Sequence, residues 1–136
     1  MRYLLDVSAL VAFGFHEHEF HPRIANWVSD LFKARETEFL TCSITELGFV
    51  RVLSQTPQYG ATVAAARGIL LQLKANEPVK LVFVHDQNDI SQLPLWVKTP
   101  KQLTDGHLVR LANAHNAVLA TLDTKIPRAF QIPAAK

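Results

Sequence analysis

The chain has 136 residues, 49% of them hydrophobic, and a formal net charge of +2 at pH 7. This length can bury a sizeable core without a disulfide or metal staple, so we expect one domain over residues 1–136. The single cysteine, Cys42, excludes an internal disulfide framework and fits a reducing compartment. The charge is nearly balanced, and it lacks the dense Lys/Arg patch that would by itself indicate nucleic-acid binding.

An apolar run from Tyr3 to Phe15 superficially resembles a signal peptide. Asp6 lies inside this run and opposes membrane insertion, and no small-residue cleavage site follows. No apolar run in the sequence approaches the length of a transmembrane helix. We therefore expect a cytoplasmic protein without a membrane segment.

The first part of the chain predicts a strand, an acid and then two helices. Residues 2–6 form an apolar run that ends on Asp6, and Ser8 is placed to cap the helix that follows. Pro22 then opens a second helix, because apolar residues recur at helical spacing after it: Ile24, Trp27, Val28 and Leu31. Between these helices, residues 16–20 predict a solvated connection.

The middle of the chain repeats this order. Residues 38–42 predict a second strand, and residues 43–53 predict the helix after it. An alanine-rich helix is predicted over residues 61–74, and Pro78 stops it. Residues 81–84 predict a third strand.

The last part of the chain predicts one more helix and two strands. Thr104 is placed as the N-cap of the helix, with Asp105 in its first turn beside the positive end of the helix dipole. The continuous apolar run that begins at Ala117 predicts a buried parallel strand that ends on Asp123. Residues 128–132 predict a short edge strand. Strands that alternate with helices predict an α/β fold, a three-layer α/β/α sandwich with a mostly parallel sheet.

Four of the twelve acids occupy one kind of position, at a strand end or in the first turn of the helix after a strand: Asp6, Glu46, Asp105 and Asp123. In a parallel sheet these positions lie on one edge, where ligands bind. If the carboxylates converge, they raise one another's pKa unless a cation compensates. Oxygen-only ligands suit Mg²⁺ or Mn²⁺, which can activate water for phosphodiester cleavage.

Each acid also has a purely structural interpretation. Ser43 and Glu46 match a capping box, in which the glutamate bonds back to the Ser43 backbone amide, and for Glu46 alone this is the stronger interpretation. Asp105 is compatible with an ordinary first-turn helix acid. Asp6 and Asp123 end apolar strands, where a carboxylate needs a partner. The ordered set of acids therefore argues for a site more strongly than any single member does.

Three segments carry a resemblance to a known family: LLDVSALVA, SITELGFVRVLSQ and TDGHLVRLANAHNAVLATLD. In these segments the chain resembles the PIN-domain ribonucleases, in particular the VapC-type toxins of bacterial toxin–antitoxin pairs. The residues that match the family pattern in order are Asp6, Ser8, Glu46, Thr104, Asp105 and Asp123. The segment before Pro22 also looks like the His-rich loop of one VapC subgroup.

The resemblance implies a PIN-like fold and a Mg²⁺- or Mn²⁺-dependent endoribonuclease without a covalent nucleophile. It implies Asp6, Glu46 and Asp105 as core metal ligands, with Asp123 completing the site. Residues that would support a ligand or the phosphate are Ser8, Thr104 and Thr121. The implied partners are an RNA substrate, an antitoxin protein and a second copy of the chain.

Two further groups of residues have weaker interpretations. Arg51 and Lys125 are basic residues near the acid edge that we expect to contact RNA phosphates. The spacing of His16, His18 and His21 matches no specific metal site, so a solvated loop is favoured over a transition-metal site.

Two other functions stay open from the sequence. One is a catalytically silent module whose acidic pocket docks a cationic antitoxin segment. The other is a different α/β phosphohydrolase that uses an aspartate nucleophile.

Overall fold

The computed structural model describes residues 1–33, 36–75 and 79–134. These ranges contain five strands: β1 (Arg2–Leu5), β2 (Glu38–Thr41), β3 (Leu81–Phe83), β4 (Val118–Thr121) and β5 (Phe130–Gln131). They also contain five α-helices: α1 (Val7–Gly14), α2 (His21–Phe32), α3 (Ser43–Gln55), α4 (Val63–Ala75) and α5 (Leu103–Ala114). Short 3₁₀ turns cover Ile90–Gln92 and Pro100–Gln102. The helix stop predicted at Pro78 lies outside the described residues.

The strands form one parallel sheet in the order β3-β2-β1-β4-β5. At the centre of the sheet, Leu4 of β1 is in register with Leu40 of β2 and Leu119 of β4. Because every pair is parallel, the carboxyl ends of the strands share one edge. The predicted parallel α/β sheet is confirmed, and its central strand β1 leads directly to Asp6.

Two hydrophobic cores lie on opposite faces of the sheet. Alternate residues of β1 separate them, since Tyr3 and Leu5 belong to one core and Leu4 to the other. The first core contains residues from helices α1, α2, α3 and α4, whereas the second contains residues of α5. This arrangement confirms the predicted three-layer sandwich, and it places the first turns of α1, α3 and α5 near the same sheet edge.

The caps predicted for two helices are wrong. Helix α1 is capped by Asp6, whose carboxylate accepts the Ala9 backbone N–H, and Ser8 lies inside the helix. Helix α5 begins at Leu103, so Thr104 lies in its first turn, because the preceding 3₁₀ turn runs directly into it. A hydroxyl residue predicts a cap only if the backbone before it is not already helical.

The capping box predicted for Ser43 and Glu46 is also wrong. Cys42 is the N-cap of α3, and the Thr45 hydroxyl accepts its backbone N–H at 3.0 Å. The glutamate is therefore free of the helix terminus. The structural interpretation that sequence favoured for Glu46 does not apply.

Smaller differences concern exposure and length. Val63, predicted on the buried stripe of α4, is 52% exposed, whereas Ala66 and Leu70 on that stripe are buried. The edge strand predicted over residues 128–132 is present as β5, shorter than expected. Within the described ranges, no helix has the length and apolar character needed to cross a membrane.

Candidate active site

Asp6 is a buried carboxylate that the end of β1 and the start of α1 hold in place. The residue is 5% exposed. Oδ1 accepts the Ala9 backbone N–H at 2.8 Å and the Ser8 hydroxyl at 2.7 Å, and Oδ2 accepts the Thr121 hydroxyl. Three donors, two from the first turn of α1 and one from the end of β4, therefore fix its orientation.

Thr121 links two of the predicted site residues. Its hydroxyl donates to Asp6 and accepts the Asp123 backbone N–H at 2.9 Å. Because β4 is the parallel neighbour of β1, its last residue lies beside the end of β1. The hydroxyl of a fully buried threonine thus couples the two strand ends.

A cleft of about 420 Å³ opens over this edge of the sheet. We call it the acid cleft. The acids and hydroxyl residues of its lining are Asp6, Ser8, Thr104, Asp105 and Asp123. The structure therefore brings three of the four predicted acids to one cavity, from the junction of β1 and α1, the first turn of α5 and the loop after β4. Ser8 and Thr104 accompany them on the same surface.

Electrostatics in the acid cleft disfavour three negative charges. Burial is the main factor that raises the pKa of Asp6, against its hydrogen bonds to Thr121, Ala9 and Ser8, and the charge of Asp123 adds to the increase. Burial also raises the pKa of Asp105, followed by the charges of Asp6 and Asp123. A cation bound among these carboxylates would relieve the repulsion.

Glu46 lies at the neighbouring strand end but does not line the acid cleft. Its Oε2 accepts the Thr41 hydroxyl and the Lys74 ammonium group, both at 2.6 Å. Lys74 comes from the last turn of α4 and also lies 5.4 Å from the centroid of the Phe83 ring. The fourth predicted acid already has a cationic partner, which no local pattern in the sequence indicates.

The donor set of the acid cleft fits Mg²⁺ or Mn²⁺ by its chemistry. It supplies carboxylate and hydroxyl oxygens, which these ions prefer, and its carboxylates repel one another. Across residues 1–33, 36–75 and 79–134, no three His, Cys, Asp or Glu side chains lie close enough together to hold an ion as they stand. The three carboxylates thus line one cleft, but in this structure they are not close enough together to coordinate one ion.

Comparison with known proteins agrees with this architecture. The PIN domain family model matches residues 3–130. The chain belongs to the PIN domain family. It is 35% identical over 132 residues to ribonuclease VapC44 of Mycobacterium tuberculosis, which covers 93% of this chain and 89% of the relative. Ribonuclease VapC38 of the same organism is 37% identical over 131 residues, covering 90% and 86%.

Solved structures share the fold of this PIN domain. VapC20 of Mycobacterium tuberculosis, a sarcin-ricin loop cleaving toxin, superposes with a TM-score of 0.63 at 11% identity, over 98% of this chain and 99% of that one. VapBC2 of Rickettsia felis, bound to a DNA fragment from its promoter, gives a TM-score of 0.57 at 16% identity, over 96% of each chain. At these identities the likeness supports the fold alone.

The basic residues predicted to contact RNA are exposed in the PIN domain. Lys125 follows Asp123 closely, and its backbone N–H donates to Asp123 Oδ1 at 2.9 Å. Arg51 lies on the exposed side of α3, beside Val52, which lines the acid cleft. Both side chains are free to reach a phosphate, and their contact with RNA stays a prediction.

Two residues of the acid cleft were missed or misjudged from the sequence. His18 lies in the loop predicted to be solvated, yet it is half-buried and lines the acid cleft. Tyr59 lies in the loop after α3 and lines the same cavity. A His-rich segment was a visible signal for the first. For Tyr59 no signal existed, because only tertiary packing brings its loop beside the end of α1.

Proposed function

We propose that this PIN domain is a Mg²⁺- or Mn²⁺-dependent endoribonuclease that acts as the toxin of a toxin–antitoxin pair. The observation that carries the proposal is the convergence of Asp6, Asp105 and Asp123 on one cleft, where burial and like charge raise the pKa of two of them. Similarity to ribonucleases VapC44 and VapC38 over nearly the whole chain supports the same activity.

In this proposal Asp6, Asp105 and Asp123 hold the metal, and Glu46 completes the set of acids. The bound metal supplies an activated water and charge stabilisation for the leaving oxygen of a phosphodiester. Ser8 and Thr121 hold the Asp6 carboxylate, so that it faces the substrate in one orientation. The chain's own contribution is thus a fixed set of oxygens, with no covalent nucleophile.

RNA must approach a cleft that carries several negative charges. Arg51 and Lys125 are exposed near its rim, and we assign them to contacts with RNA phosphates. Thr104 lies exposed in the first turn of α5, where its hydroxyl can bind a phosphate oxygen. Such contacts place the backbone without selecting a sequence.

The proposed partners are an antitoxin protein and a second copy of this chain, and the proposed location is the cytoplasm. The structure of VapBC2 from Rickettsia felis bound to promoter DNA supports the antitoxin, since a chain of that complex shares this fold. Co-purification of the chain with the product of the adjacent gene, followed by light scattering, tests both partners. A monomer that captures no such product would contradict this part of the proposal.

Incubation of the purified protein with structured RNAs, with and without Mg²⁺ or Mn²⁺, tests the activity. We expect metal-dependent fragments that end in 5′-phosphate, and no trapped phospho-aspartate. The Asp6→Asn, Asp105→Asn double variant should be inactive, whereas Asp30→Asn, on the exposed side of α2, should retain full activity. Equal cleavage by the double variant and the wild type would contradict the proposal.

A docking module without turnover is the second function to test, because Glu46 already accepts a lysine ammonium group. Such a module would bind a cationic peptide and need no ion. Calorimetric titration with Mn²⁺ separates the two functions. Measurable affinity that the double variant loses supports the nuclease, and absence of affinity in an inactive protein supports docking.

A further inference from the structure

The acid cleft extends beyond the carboxylates to an aromatic wall made of His18 and Tyr59. Asp6 lies at the start of α1, whereas His18 follows its end, so the cleft runs along this helix. The eight residues of α1 span about 12 Å, so His18 follows the end of the helix that lies opposite Asp6. Val11 of α1 lines the cleft between them.

The imidazole of His18 is held in one tautomer. Its Nδ1 accepts the Phe20 backbone N–H at 3.0 Å, so the proton of the neutral ring must lie on Nε2. Burial lowers the pKa of His18, which favours the neutral ring at pH 7. His18 thus presents an uncharged ring with one N–H donor that its own loop does not use.

Tyr59 is placed by contacts that fix both its backbone and its ring. Its backbone N–H donates to the Thr56 carbonyl oxygen at 3.0 Å. Its ring packs edge to face on Phe15 at 5.1 Å and lies 6.3 Å from the His18 ring, with 33° between the two planes. Two aromatic rings of similar orientation therefore lie side by side, and Phe15 packs against one of them.

The remaining residues that line the cleft are apolar. Val7 and Val11 come from α1, Val52 from α3 and Leu108 from α5. An apolar floor with aromatic walls and one free donor suits a flat heterocycle that carries hydrogen-bond acceptors. Phosphate groups do not suit this region, because it offers no cationic side chain among its lining residues.

We propose that the aromatic wall binds the base of a nucleotide that flanks the cleaved phosphodiester bond, with Tyr59 as a stacking surface and His18 as a donor to the base edge. This inference rests on the proposed ribonuclease function, since it assigns the second end of the same cleft. Specific readout of RNA commonly uses unstacked bases on aromatic side chains. A base contact also adds affinity at a site whose carboxylates repel the phosphate backbone.

Binding without turnover tests the aromatic wall by itself. The probes are fluorescent oligoadenylate and an abasic ribose-phosphate oligomer of the same length, titrated by anisotropy in the presence of a chelator. Tyr59→Ala should weaken oligoadenylate binding about tenfold, as expected for loss of one base stack, and should leave abasic binding unchanged. Tyr59→Phe should keep the wild-type affinity, because the stacking surface remains.

His16 provides the matched control in the same loop. It is exposed and does not line the acid cleft, whereas His18 does. His18→Ala should therefore lower the affinity for oligoadenylate, and His16→Ala should not. Equal losses on oligoadenylate and on the abasic oligomer would overturn the inference, since a general loss of structure or charge affects both probes.

Cleavage of a randomised pool of short RNAs tests the link to catalysis. With Mn²⁺ present, sequencing of the products gives the base preference beside the cut, and His18→Ala should flatten it. Unchanged preference in an active His18→Ala variant would overturn the inference. If the wild type cuts no RNA, the proposed function fails, while base-dependent binding still decides the inference. Loss of antitoxin capture in Tyr59→Ala, with base-dependent binding intact, would assign the wall to the antitoxin instead.

Discussion

Two junctions in this molecule look alike in sequence and differ in structure. At the first, β1 ends and Asp6 leads into α1; at the second, β2 ends and Glu46 follows in the first turn of α3. Both strands lie side by side in the sheet, and at each junction a buried threonine hydroxyl donates to the acid, from Thr121 at the first and from Thr41 at the second.

The difference lies in what balances each negative charge. Among the described residues, the three groups that donate hydrogen bonds to Asp6 are all neutral, so none of them balances its negative charge. Glu46 is paired with the ammonium group of Lys74. At the first junction, Asp6 is therefore repelled by neighbouring carboxylates, and a bound metal ion would reduce this repulsion. At the second junction, the charge of Glu46 is balanced by Lys74 of the same chain.

The largest expected effect separates the two junctions in catalysis. Asp6→Asn should lower the cleavage rate roughly 100-fold or more, because it removes a charge at the reacting site. Glu46→Gln should lower it only about tenfold, the range of residues that support a metal site. Single-turnover assays on one RNA at saturating Mn²⁺ measure both cleavage rates. Equal losses in the two variants would contradict the different roles assigned to Asp6 and Glu46.

The substitution that should abolish most of the activity should not lower the thermal stability. The asparagine side chain keeps the acceptor for the Ala9 backbone N–H, while the buried charge of Asp6 is gone. We therefore expect the melting temperature of Asp6→Asn at neutral pH, without metal, to equal or exceed that of the wild type. A marked decrease would show that the charge itself stabilises the fold.

The buried threonines provide the next comparison. Thr121→Val removes a donor to Asp6 and an acceptor for the Asp123 N–H, so we expect the free energy of unfolding to fall by about 2 kcal/mol. Thr41→Val should cost about 1 kcal/mol, because Glu46 keeps Lys74 as a partner. Urea denaturation measures both values. A larger loss at Thr41 would reverse the order of the two junctions.

Lys74→Met should have a smaller effect, which isolates the ion pair. The pair is partly exposed, so we expect the free energy of unfolding to fall by about 0.5 kcal/mol, a loss that shrinks as salt is added. A double-mutant cycle with Glu46→Gln gives the coupling energy of the pair. If Lys74 competes with the metal for Glu46, Mn²⁺ affinity should rise in Lys74→Met and return to normal in the double variant.

The smallest effect is a slope of stability against pH. The pKa values of Asp6 and Asp105 are raised in the fold, so between the unfolded pKa, about 3.9, and these higher values the folded state binds more protons. Stability from these groups is present at low pH and is lost as the pH rises through the folded pKa values. Denaturant titrations of the wild type should show this decline relative to Asp6→Asn, and added Mg²⁺ should offset it.

If the difference in the free energy of unfolding between the wild type and Asp6→Asn did not change with pH, this would contradict the repulsion inferred for the acid cleft. Comparison with the variant is needed because other groups titrate in the same range with the opposite sign. Burial is the largest single influence on the pKa of Asp86 and raises it. The hydrogen bonds from His107 and the Asn88 backbone N–H, with the nearby His107 and His115, together outweigh burial and lower this pKa. None of these residues lines the acid cleft, so they contribute equally to the wild type and to Asp6→Asn.

Periodicity determined most of the fold from the sequence. The apolar runs that predict β1, β2 and β4 are buried on both faces, and the α/β order required a parallel sheet with one carboxyl edge. The positions of Asp6, Asp105 and Asp123 followed from that edge. Helix starts were less predictable. Ser8 and Thr104 match the pattern of an N-cap, but each helix begins before that residue, α1 after Asp6 and α5 at Leu103.

The partners of side chains far apart in sequence were decided only by tertiary structure. Lys74 reaches Glu46 because α3 and α4 pack together, and His18 meets Tyr59 because two loops close over the end of α1. A strand or helix pattern depends on neighbours within a few residues, so local sequence carries it. An ion pair or an aromatic wall depends on which elements pack side by side. In this PIN domain that packing pairs Glu46 with Lys74, whereas the described donors to Asp6 are all neutral.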